Sequence, residues 1–102
     1  MYGPRPTRID AERGREVALL ALAHVSRDEA LVQRFMATSG IEPDQVRGSI
    51  GDPAFLAGVL DFLLAHEPDA EAFAVENGLT PETLQGARAA LTGGEPDAWQ
   101  SI

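Results

Sequence analysis

The residues best equipped for proton transfer or metal ligation are the two histidines, His24 and His66, and one carboxylate, Asp61, set in the most apolar run of the chain. A zinc site needs convergent ligands, and neither a His-x-x-x-His pair nor a paired-carboxylate spacing supplies them. Each histidine falls near the end of a long helical pattern, where an imidazolium interacts favourably with the helix C-terminus, so a structural role is expected for both. Helical projection puts Asp61 with Gly58 and Ala65 on the narrow polar side of its helix, toward solvent or a small-residue contact. Ser26, Ser39, Ser49 and Ser101 lie in no nucleophile-elbow context. Cysteine is absent, which excludes disulfides, thiolate metal sites and a cysteine nucleophile. There is no phosphate loop, dinucleotide fingerprint or calcium loop. The expectation is therefore no catalytic, cofactor-binding or metal site, and no enzyme.

A second pattern concerns recognition. Ala74, Gly78, Leu79 and Leu84 match helix-turn-helix spacing, with a small residue, a turn glycine and apolar anchors beyond it. The second helix would offer Glu82, Thr83, Gln85 and Arg88 to DNA. Any two helices crossing at a tight turn need the same residues, and Glu67, Asp69, Glu71, Glu76 and Glu82 make phosphate approach unfavourable. The net charge is −8, and its distribution is uneven. Residues 1–50 balance seven arginines against seven acids, whereas residues 51–102 set Arg88 alone against nine acids. Such a second half repels nucleic acid and anionic lipid alike.

The elements that position these residues are all helical in pattern. No segment alternates apolar and polar residues with β-branched enrichment. The organising stretch is Gly51–His66: Asp52 is a helix cap and Pro53 fits the first helical position. Phe55, Leu56, Val59, Leu60, Phe62, Leu63 and Leu64 then cover an arc of about 200°, leaving Ala57, Gly58, Asp61 and Ala65 outside. At this length the helix is too short to span a bilayer. Upstream, Thr7 and Asp10 form a capping pattern for a first helix from about Arg8 to Val25, weakened by Gly14 and carrying Val17, Leu20, Ala21, Leu22 and Val25. Ser26 and Glu29 open a second helix that ends at Gly40, and Pro43 opens a short third. A fifth runs from Ala70 to Glu76, and a sixth starts at Thr80-Pro81. Residues 1–7 read as a flexible arm, 8–93 as a single helical domain, and 94–102 as an acidic tail. Trp99, the only tryptophan, either packs back on the domain or anchors a partner, with packing favoured.

Shifting the chain by 38 positions superposes its halves: Phe35 falls on Phe73, Gly40 on Gly78, Ile41 on Leu79, Pro43 on Pro81 and Val46 on Leu84. Duplication is one explanation, and independent use of the same turn chemistry is the other. Either way the first and central helices are equivalent, and they are expected to pack as the core pair.

Three stretches carry a family resemblance: Ser39-Gly-Ile-Glu-Pro-Asp-Gln-Val-Arg47, Gly51-Asp-Pro-Ala-Phe-Leu-Ala-Gly-Val-Leu-Asp-Phe-Leu-Leu64 and Asn77-Gly-Leu-Thr-Pro-Glu82. Over about residues 8–93 the chain resembles a family of short alphaproteobacterial proteins catalogued as domain of unknown function 3572. The resemblance implies a small all-helical cytoplasmic protein and transfers no functional residue.

Together these readings predict an all-α bundle of five to six helices, two of its halves related as pseudo-repeats. With no stretch resembling a signal peptide, a cytoplasmic location is expected. The function expected is a non-enzymatic protein-interaction or adaptor module, including self-association. The alternative is a helix-turn-helix regulator associated with DNA. A protein partner or a second copy is expected, and nucleic acid and membrane are not.

Overall fold

Local start and stop signals cut this chain into short helices before any packing is considered. The computed structural model describes residues 9–92, so the arm 1–7 and the tail 94–102 with Trp99 lie outside the described residues. Among the described residues there are six helices and no strand: α1 Ala11–Ser26, α2 Glu29–Ser39, α3 Pro43–Ser49, α4 Pro53–Leu64, α5 Glu67–Asn77 and α6 Pro81–Leu91. Asp52 accepts a hydrogen bond from the Ala54 amide at 3.0 Å, and Thr80 accepts one from the Thr83 amide at 3.2 Å. Gly40 and Gly78 stop α2 and α5 in the left-handed conformation, with φ of 75° and 66°. A side chain at either position would meet the Cβ strain that glycine avoids.

Three starts differ from expectation. α1 begins at Ala11, not Arg8, because Asp10 is the cap, accepting from the Arg13 amide at 2.9 Å. α2 is capped by Asp28 rather than Ser26: the Asp28 carboxylate reaches the Ala30 and Leu31 amides, while Ser26 closes α1 by donating to the Leu22 carbonyl. α5 begins at Glu67, three residues early, since Pro68 sits in the first turn, where its missing N–H has no role. In each case a short aspartate or a first-turn proline outcompetes the longer-range pattern.

The core is built on α4, which buries Leu56, Ala57, Val59, Leu60, Phe62 and Leu63. α1 contributes Val17, Ala18, Ala21 and Val25, and α6 contributes Leu84, Ala87 and Leu91. Each large apolar side chain so buried stabilises by about 1.5–3 kcal/mol. α1 and α4 do pack together, but α6 packs against both at least as extensively, so the core is a three-helix unit and not a pair. Ala57 is buried, contrary to the helical projection, because α4 is covered by α1, α2, α5 and α6 and its short side chain lets a neighbour come close. On α1 the buried positions occupy an arc of about 100°, which leaves Leu20 about 60° outside one end and Leu22 about 40° outside the other. Leu20 is accordingly 41% exposed.

The 38-residue shift reappears in the helices. It carries α2 (Glu29–Ser39) onto α5 (Glu67–Asn77) at both ends, and the start of α3 onto the start of α6. The halves then diverge, because α3 buries nothing and α6 lies at the centre. No helix is long and apolar enough to cross a membrane among the described residues.

Candidate functional site

The internal shift places two comparable clefts in the fold, one where α5 meets α1 and one where α2 meets α4. Phe73 of the first corresponds to Phe35 of the second, and His24 corresponds to Phe62. The geometry follows the correspondence. His24 meets Phe73 edge-on with ring centroids 5.4 Å apart, and Phe62 meets Phe35 edge-on at 5.3 Å. These are favourable aromatic arrangements beyond simple burial.

The α1–α5 cleft is bridged by polar groups. His24 Nδ1 lies 2.8 Å from Glu76 Oε1, and Arg27 donates to Glu76 Oε2 at 3.0 Å. In the α2–α4 cleft the positions of Leu20, Arg27 and Glu76 are taken by Gly58, Ala65 and Thr38. None of these can span the gap, and the cleft is an unbridged groove of about 710 Å³, whereas the bridged cleft has a depression of about 650 Å³ lined by His24, Glu71, Val75 and Glu76. Phe35, Phe55, Phe62 and Ile41 line its walls, with Ala54, Gly58 and Ala65 also at its surface. Phe55 lies 6.0 Å from Phe35, ring to ring, which joins the three phenyl groups into one apolar surface. The volume falls in the range of ligand and peptide pockets. A Cβ built on Gly58 meets no atom within 4 Å, so bare backbone faces open space there.

The polar residues singled out in the sequence come to this groove's margin and are committed to one another. Asp61 is bonded to Arg88 of α6, which ties α4 to α6. His66 Nδ1 lies 2.9 Å from Asp69 Oδ2, and Arg34 donates to the same oxygen while its guanidinium sits 5.3 Å from the centre of the Phe62 ring. Ser39 donates to the Phe35 carbonyl and accepts from the Ile41 amide, so its hydroxyl serves the end of α2. His24 is about 52 residues away in sequence from its partner Glu76 and on the other cleft. The structure does not bring the two histidines and Asp61 together as one site.

The Glu76 carboxyl has its pKa lowered below the ordinary carboxylate value, first by the hydrogen bond with His24 and with further help from the Arg27 and His24 charges, which together outweigh the opposing effect of desolvation. A depressed carboxylate stabilises the fold above its unfolded value of about 4.3, and the contribution disappears as pH falls through the lower folded value. Glu76→Gln is therefore expected to lower the denaturant midpoint at neutral pH, and the gap from wild type should narrow at acid pH, below the ordinary carboxylate range. Equal gaps at both pH values would refute the role given to the His24–Glu76–Arg27 bridge.

The helix-turn-helix pattern forms the turn it predicts. Gly78 is left-handed, the Leu79 amide bonds the Ala74 carbonyl at 2.7 Å, and Ala74 and Leu84 are buried. However, α6 packs its apolar face between α1 and α4, and Arg88 on its outer side is held by Asp61. The sequence reading missed the groove itself. Its visible signal was the trio Phe35, Phe55 and Phe62 around a mid-helix glycine, read there as uniform core.

No curated protein and no solved structure matches the chain. One family model does match, over residues 11–94, which spans α1 through α6 and the groove between them. The chain belongs to the family described as Protein of unknown function (DUF3572).

Proposed function

We propose that the protein is a non-enzymatic cytoplasmic interaction module that receives an apolar helical segment of a partner protein in the α2–α4 groove. The observation that carries this reading is the contrast between the clefts: one is bridged by His24, Arg27 and Glu76 and leaves a depression lined by charged groups, and the other is unbridged and walled by three phenylalanines. From Ala54 to Ala65 the groove runs about 16 Å, the length of three helical turns. Small residues along it permit close backbone approach, and aromatic walls take up apolar side chains, as in helix-in-groove recognition. The charged and titratable groups that line it are each engaged, Arg34 and His66 with Asp69 and Asp61 with Arg88, which argues against a general acid or base among them.

The test transfers the bridging residues from one cleft to the other. A Thr38→Glu, Gly58→Leu, Ala65→Arg variant keeps the apolar core and supplies the bridge that the groove lacks. Crosslinked capture from the native cell with wild type and this variant is expected to yield a defined protein that only wild type retains. Identical captures would overturn the reading. The DNA-associated alternative keeps its turn geometry but presents an acidic surface, including Glu67, Glu71 and Glu82. A salt-dependent shift of random duplex DNA would favour it instead.

A further inference from the structure

We infer that the C-terminal segment 93–102 docks on its own domain, with the Trp99 side chain seated in a notch where α1 and α4 begin and α6 ends. This contact is independent of the α2–α4 groove and uses a second surface of the fold. The notch has a volume of about 180 Å³, room for one large side chain and too little for a helix. Leu56 and Leu91, both buried, line it together with Ala11, Pro53 and Ala90. Ala11 and Pro53 are the first residues of α1 and α4, and Leu91 is the last of α6, so three helix ends converge there. Arg15 is the one charged residue in the lining. The neighbouring acids Asp10, Glu12 and Asp52 are not part of it, and the two aspartates are held as caps by amides of their own helices.

Reach, charge and side-chain shape all select the tail as occupant. Leu91 lines the notch itself, and Trp99 follows eight positions later. A flexible segment of that length has an end-to-end distance of about 16 Å, with a ceiling of about 28 Å when fully extended. Gly93 and Gly94, just after the helix, accept the backbone angles that a reversal needs. Among the described residues Arg15 forms no ion pair, whereas Arg13 on the same helix is paired with Glu16. Residues 93–102 carry Glu95 and Asp97 and no cation, which complements Arg15. The N-terminal arm instead carries Arg5 and Arg8, like in charge to Arg15. The arm also starts from the wrong place, since the Ile9 side chain lies against Gly86, one turn before Ala90 on α6. Trp99 is the chain's one tryptophan, a flat apolar ring able to cover Leu56 and Leu91 and to stack under a guanidinium. Docked in this way, the tail ties the ends of the three core helices together.

The single tryptophan makes the test direct. In the full-length protein, Trp99 emission is expected to be blue-shifted from that of N-acetyltryptophanamide and several-fold less quenched by acrylamide. Arg15→Glu, a change at an exposed position, should shift the emission to the red and raise the quenching. Glu95→Arg with Asp97→Arg in the same chain should reverse both effects. Position is read separately. The chain has no cysteine, so a bimane label is readily placed at Ala11→Cys beside the notch or at Thr38→Cys in the groove. Bimane is quenched on contact with an indole ring. Trp99→Phe should therefore brighten the label at position 11 several-fold and leave the one at position 38 unchanged.

Trp99 emission equal to that of the free fluorophore would overturn the inference, as would identical emission from wild type and Arg15→Glu. A Trp99→Phe effect confined to position 38 would make the groove the seat of the tail, and brightening of the position 11 label on dilution would make a second copy's tail the occupant of the notch. Each of those results also overturns it.

Discussion

Phe73→Ala is expected to destabilise the protein by about 3–5 kcal/mol, the cost of truncating a fully buried phenylalanine. Phe73 is 0% exposed, and the other buried residues of α5 are Ala70 and Ala74. One ring therefore anchors an entire helix whose exposed face carries Glu67, Glu71 and Glu76. Its loss also removes the surface against which His24 packs, so the bridge to Glu76 should loosen with it. Domains of this size have total stabilities of about 5–15 kcal/mol, and the melting temperature should fall by on the order of 20 °C. Phe35→Ala is the matched control. Its ring borders an open groove instead of a bridged cleft, and Leu31 remains as a second large anchor for α2. The surroundings can close over part of the cavity, so a smaller loss is expected. Equal losses in thermal and urea melts would contradict the difference drawn between the two clefts.

The fold was largely legible because its punctuation is local. Asp52-Pro53, Thr80-Pro81, Gly40 and Gly78 each act through a hydrogen bond or a backbone angle within a few residues, and all four hold in the structure. The errors came where two local signals competed within one stretch, as between Ser26 and Asp28. Helical projection was less secure for the core. It ranks residues by apolarity, and so it chose Leu20 over Ala18 and left out Ala57. Packing of α1 and α4 selects by position on the arc, where small residues that permit close approach are as useful as large ones. The candidate groove had its aromatic residues in view but not its openness. It arises from a difference between equivalent positions, Gly58 against Leu20 and Ala65 against Arg27, and that difference acquires meaning only when both clefts are seen. The repeat in the sequence contained the comparison, but similarity was what the alignment displayed.

Two mid-helix glycines give the sharpest opposed predictions. Gly14 was read from sequence as a weak point of α1, and the structure gives it a use. A Cβ there would lie 2.9 Å from the Ala87 carbonyl oxygen and 3.3 Å from the Ala90 Cβ of α6. The first of these is backbone and cannot rotate aside, so α1 and α6 must move apart. Overpacking of this kind costs about 1–3 kcal/mol, and alanine returns at most ~1 kcal/mol of helix propensity. Gly14→Ala is thus expected to destabilise by on the order of 1 kcal/mol, and Gly14→Val by on the order of 3 kcal/mol. Gly58→Ala should do the reverse. With nothing within 4 Å of the added methyl, only the propensity gain remains, about 0.5–1 kcal/mol of stabilisation. Urea melts of the two alanine variants should move in opposite directions, and a loss of stability for Gly58→Ala would mean that the groove is filled from within the protein. The same variant connects stability to function. If it melts higher yet retains less of the partner captured by wild type, then the bare backbone at Gly58 serves close approach of that partner, and the stability forgone there has a physical reason.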